Sequence, residues 1–215
     1  MKTGPKSRGG KVLIENRQKQ VRLDRASIRR DANRLLALLG IPDRELSLLF
    51  VDDPGIRALN RDWLRRDRAT NVIAFPLSVG DYGGLNPALL GDVAVSVEAA
   101  RREAQAAGIP LEDALFYLVL HGVLHLAGYE HEGPGNRARA RLMSAVQETV
   151  FSEIRGYRLD SASSQAVESV CPQPARTGSQ PPASAWGLRI LSTCPLLSWV
   201  LWSSFILWIS AGVIP

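Results

Sequence analysis

The chain has 215 residues, enough for one domain with a hydrophobic core, and its 22% charged and 46% hydrophobic residues exclude a wholly disordered or fibrous protein. A net charge of +5 is compatible with an anionic partner such as RNA without requiring one. Two cysteines, Cys171 and Cys194, lie far apart and away from every histidine, so neither a disulfide framework nor a CxxC metal site is present and a reducing, cytoplasmic setting is expected.

Residues 1–10 read as a basic, disordered lead-in without the apolar stretch of a signal peptide. Lys11 to Asn16 (KVLIEN) reads as a short strand. From Asp24 to Leu39 apolar residues recur at helical spacing (Ile28, Leu35, Leu36, Leu39), and Gly40 ends the run. Leu46 to Val51 is a buried strand, and Pro54 to Arg65 a helix with Ile56, Leu59 and Trp63 on one side. Thr70 to Phe75 and Gly91 to Val97 are two further strands, joined by a loop rich in glycine, proline and asparagine. Three helices follow: Glu98 to Ala107, the strongly apolar Leu111 to Ala127, and the amphipathic Asn136 to Ile154. The order β-α-β-α-β-β-α-α-α predicts an α/β (α+β) fold with a single mixed sheet of about four strands packed with helices.

Composition changes near the end of this pattern. Residues 159–189 read as a flexible linker rich in serine and proline, and residues 190–215 carry no charge. That apolar tail has the length to cross a bilayer, so a membrane anchor and an extension without a role in the chemistry are both open. Basic residues outnumber acidic ones up to Arg68. Within that region Arg61, Arg65, Arg66 and Arg68 form either a phosphate-facing surface or a solvated helix face.

All three histidines fall within HGVLHLAGYEH, residues 121–131. His121 and His125 are four apart on a helix, so both rings leave the same face one turn apart, the spacing at which two imidazoles reach one metal ion. Gly128 releases the helix, and the turn through Tyr129 and Glu130 lets His131 swing back. Three nitrogen ligands leave a fourth position for water, the pattern of a catalytic Zn²⁺ site, although ligand type alone also admits nickel, copper or iron. Three unrelated core or surface histidines are the alternative. The residue after His121 is Gly122, where a zinc protease of the HExxH kind carries its glutamate base. Glu130 and Glu132 are candidates for proton transfer or exposed turn residues. Asp92 either faces the same cleft or serves a cap or turn.

HGVLHLAGYEH resembles the HGxLHLxGYDH signature of the YbeY family, metal-dependent endoribonucleases of rRNA maturation. LNRDWLRRDRATNVIAFP (Leu59 to Pro76) and LGDVAVSV (Leu90 to Val97) resemble that family's central motif and LGDI-type strand. The resemblance covers residues 11–158, which it marks as the nuclease domain. It implies one zinc ion on His121, His125 and His131 in a zinc-hydrolase-like cleft, cleavage of single-stranded RNA, and a role in 16S rRNA 3′-end maturation and ribosome quality control. The implied partners are the small ribosomal subunit and its proteins. Three departures stand out: Leu64 takes the place of an arginine tied to function in that family, with Arg65 and Arg66 beside it; Asn71 replaces an aspartate; and the tail has no counterpart. A zinc peptidase or other metal hydrolase, and a non-catalytic assembly factor held together by its metal, are the other readings.

Overall fold

The computed structural model of the chain describes residues 11–77, 88–129 and 137–159. The expected lead-in, the apolar tail and all of the linker but its first residue, Leu159, lie outside the described residues, as do the loop around residues 78–87, Glu130 and His131. Nine elements follow in the expected order: β1 (Val12–Asn16), α1 (Arg25–Leu38), β2 (Glu45–Val51), α2 (Asp53–Leu64), β3 (Val72–Pro76), β4 (Leu89–Ser96), α3 (Val97–Ala107), α4 (Leu111–Leu126) and α5 (Arg137–Arg155).

Local chemistry sets most of the boundaries. The Asp24 side chain accepts from the backbone N–H groups of Ala26 and Ser27, so it caps α1 instead of belonging to it. Asp52 caps α2 in the same way through Gly55, with Pro54 in the first turn. Ser96 ends β4 and its Oγ accepts from Ala99 to start α3 without a loop. β3 begins at Val72, later than the sequence pattern implied, because the Asn71 side chain turns back to accept from the Val72 N–H.

The four strands form one sheet in the order β1-β2-β4-β3. β1, β2 and β4 are parallel, and β3 closes one edge antiparallel to β4. Alternation along the strands separates two faces. Leu46, Leu48, Phe50, Val93 and Val95 belong to the main core with Leu35 and Leu36 of α1, Leu120 and Leu124 of α4, and Phe151 of α5. Val51, Ile73, Phe75 and Ala94 point the other way and meet Ile56, Leu59 and Trp63 of α2. Leu35, Leu36, Leu48 and Phe50 are fully buried, each stabilising the fold by roughly 1.5–3 kcal/mol relative to exposure.

Helix α4 is the centre of the molecule. The sheet covers it on one side, α3 and α5 on others, and from Asp113 to Leu120 every residue is buried. Such all-round burial explains its near absence of polar positions. Among the described residues no single helix is long and apolar enough to cross a membrane.

Candidate metal centre and nucleic-acid interface

His121 and His125 occur on the last two turns of α4, where the helix emerges from the core and both residues are half-buried. The helix then stops in a defined way. Gly128 adopts φ +88°, its N–H donates to the His125 carbonyl at 3.0 Å, and the Tyr129 N–H donates to the Leu124 carbonyl at 3.0 Å. This pair of bonds is the Schellman arrangement, which needs a left-handed residue and so favours glycine. It releases the chain directly beside the two rings.

The rings lie 4.8 Å apart between centroids and cross at 77°. Their Nε2 atoms are 3.2 Å apart. Two nitrogens bound to one tetrahedral zinc at about 2.0–2.1 Å would be separated by about 3.3 Å, so this pair fits one metal ion. Among the described residues no cluster of three metal-ligating side chains is assembled. The expected third ligand His131 and the expected proton-transfer residue Glu130 both lie outside the described residues.

A residue that the histidine motif does not reveal also reaches the pair. The Gln147 Oε1 of α5 is 3.0 Å from His121 Nδ1, and Gln147 is 1% exposed. The signal was in the helical pattern: Gln147 is the polar member of a buried face made otherwise by Met143, Val150 and Phe151.

Gly122 has a structural reason. A Cβ there would lie 2.6 Å from Val93 Cγ1 of β4 and 3.2 Å from Val72 Cγ2 of β3. This is where α4 touches the sheet, so a glutamate at this position would collide with strands and could not reach the histidines.

Asp92 faces away from them. On β4 it alternates with Val93, which touches α4, and shares the α2 face with Ala94 and Ser96. Burial raises its carboxyl to about 6, and Ser47, its register partner on β2, draws it only partly back. A shared cleft with His121 and His125 is therefore ruled out for Asp92 by strand alternation. A second buried acid, Glu103 of α3, is pushed up to about 7 by burial, offset in part by the Asn71 amide, which donates to Glu103 Oε1 at 3.1 Å. Asn71 thus supplies a neutral donor to a buried carboxyl, a task an aspartate could perform only by holding a proton.

The four arginines cluster at the other helix end. Arg61 closes α2 and pairs with Asp62 at 2.8 Å, both well exposed. Arg65 is the left-handed cap of α2 at φ +60°, exposed, and Arg66 and Arg68 follow in the turn that Asn60 holds by donating to the Arg68 carbonyl at 2.8 Å. Leu64 packs beside the α2 core cluster. Because α2 and α4 cover opposite sheet faces, the arginines and histidines are not adjacent. They are linked through edge strand β3, whose Val72 approaches α4 while Phe75 meets Trp63 of α2 edge to face at 6.3 Å.

A sequence model of the family described as Endoribonuclease YbeY matches residues 13–155. A Geobacter metallireducens protein named Endoribonuclease YbeY is 46% identical over 142 residues, 66% of this chain and 94% of that protein. Its namesakes in Geobacter sulfurreducens and Syntrophotalea carbinolica are 48% identical over 142 residues (66% of this chain, 94% of the relative) and 47% identical over 146 residues (68% and 97%). A solution structure of a Thermotoga maritima protein aligns at a TM-score of 0.48 and 23% identity, covering 77% of this chain and 99% of that one. The chain belongs to the Endoribonuclease YbeY family.

Proposed function

We propose that this chain is a zinc-dependent endoribonuclease that cuts single-stranded RNA, with His121, His125 and His131 holding the ion. The observation that carries the metal reading is the 3.2 Å separation of the His121 and His125 Nε2 atoms on adjacent turns of a helix end. When bound, zinc supplies a Lewis acid that polarises a phosphoryl oxygen and makes water more acidic. The chain's own residues do the rest. Buried α4 fixes both imidazoles, the Gly128 turn ends the helix one turn after His125, and Glu130 is placed in sequence to move a proton. Arg61, Arg65, Arg66 and Arg68 hold the anionic backbone along the α2 end, a sequence-independent contact that salt weakens. The substrate is 16S rRNA at its 3′ end and the partner the small ribosomal subunit, with ribosome quality control as the wider role and the cytoplasm as its place. Membership of a family described as endoribonuclease supports the reaction class. Gly122, turned into the sheet, weighs against a peptidase that depends on a base at that position.

The test compares the full chain with His125→Ala, both loaded with zinc, on a labelled single-stranded RNA, with metal content and folding measured in each. The wild-type chain cleaves, and the folded variant falls to background with less zinc bound. Equal cleavage by both refutes the site. Binding of RNA without cleavage by either favours the assembly-factor reading instead.

A further inference from the structure

The buried face of α5 is Met143, Gln147, Val150 and Phe151. A methionine or leucine at 147 would pack there without taking an amide out of water. Among the described residues the Gln147 Nε2 has no hydrogen-bond partner, while its Oε1 is directed at one ring nitrogen, His121 Nδ1, at 3.0 Å. An amide this buried, half satisfied, is explained by what its satisfied half does.

We infer that Gln147 is a positioning residue for His121: its carbonyl oxygen keeps the ring hydrogen on Nδ1 and so directs the Nε2 lone pair toward His125. A carbonyl oxygen only accepts, so His121 Nδ1–H donates to it. Neutral imidazole carries one ring hydrogen, which leaves Nε2 as the acceptor and ligand atom. That atom is the one 3.2 Å from His125 Nε2. The reversed amide would present its NH₂ to Nδ1, move the hydrogen to Nε2 and abolish ligation from that side. Gln147 thereby fixes both the tautomer and the ring plane from a separate helix, and α5 becomes part of the site. The purpose of this hydrogen bond rests on the metal reading above; its existence does not.

The experiment uses the full chain, ¹⁵N-labelled and freed of metal, and reads the histidine ring nitrogens by NMR before a Zn²⁺ titration. Wild type and Gln147→Glu, which keeps an acceptor, show a protonated Nδ1 and bare Nε2 at His121. Gln147→Met shifts His121 toward the Nε2-protonated form and binds zinc about 10–100-fold more weakly, while Gln147→Glu stays near wild type. A wild-type His121 protonated on Nε2 overturns the inference, and so does a folded Gln147→Met that binds zinc as tightly as wild type. If Gln147→Met does not fold, the spectra of wild type and Gln147→Glu decide. A full chain that binds no zinc while the His121 tautomer still follows residue 147 upholds the positioning and refutes the metal reading alone.

Discussion

Gly122 shows how one residue can answer to two neighbours. On α4 it follows His121, but its missing side chain serves Val93 and Val72 on the sheet. Gly122→Ala gains about 1 kcal/mol in helix propensity and meets overpacking of about 1–3 kcal/mol against a stiff β-branched side chain. The expected net is a loss of about 1 kcal/mol, read as a lower denaturation midpoint, and Val93→Ala in the same chain should recover part of it. An unchanged midpoint would mean that α4 and β4 part easily. Glu103 gives a second test at this scale. Its folded carboxyl titrates near 7 against an ordinary 4.5, so folding favours the protonated form. Its contribution is therefore fully present below about pH 4.5 and is lost as pH rises through about 7. Glu103→Gln keeps an acceptor for Asn71 and has no charge to bury. It should be more stable than wild type above neutral pH by roughly 2 kcal/mol, and its stability should vary less between pH 4.5 and 7. Parallel pH curves for the two proteins would show that Glu103 is already well solvated.

At the scale of elements, helix ends were the most legible parts because a cap is a local event. Gly108 and Gly128 each mark a boundary within a few residues of the bonds they permit, whereas the sequence pattern counts Asp24 into α1 and starts α2 at Pro54 without its cap Asp52. The end of α2 is the exception. An arginine, not a glycine, takes its left-handed cap, and the pattern of apolar residues ran the helix through it. A left-handed backbone costs an L residue about 1–2 kcal/mol. Arg65→Gly should therefore raise stability by about 1 kcal/mol and at the same time weaken RNA binding if Arg65 grips phosphate. For four phosphate contacts on a single strand, log affinity against log salt has a slope of about −3, and Arg65→Gly should make it shallower by about 0.7. Both quantities come from one salt series with one thermal melt. A variant more stable but unchanged in RNA affinity would leave Arg65 without a role in holding RNA.

The whole molecule is tied together at the end of α4 remote from the histidines. Arg155, near the end of α5, donates to Asp31 of α1 at 2.8 Å, forms an ion pair with Asp113 of α4 at 2.6 Å, and stacks on the Phe116 ring at 4.5 Å. Tyr157 donates to the same Asp113. All three charged side chains are largely buried, so removing the cation leaves two carboxylates without their shared partner. Arg155→Met should lower stability by about 3 kcal/mol in chemical denaturation, and adding Asp113→Asn should recover part of that loss. Additive losses would mean that the two side chains act independently. Because Gln147 and Arg155 share α5, the same anchor that stabilises the fold also holds the support of His121 in place.

The amino-acid sequence by itself determined the order of the nine elements, the helical face shared by His121 and His125, the glycine turn beside them and the family motifs. Each depends on residues within about one helical turn or one strand of each other, where periodicity and caps act directly. Tertiary structure alone decided the strand order β1-β2-β4-β3, the opposite faces of Asp92 and the histidines, the Glu103–Asn71 pair, and Gln147 against His121. Those partners are far apart in the chain and meet only through strand register and helix packing. Asp92 illustrates the reason: its motif marks it as special, yet a one-residue alternation along β4 chooses its face, and that choice is made by how the sheet packs between α2 and α4.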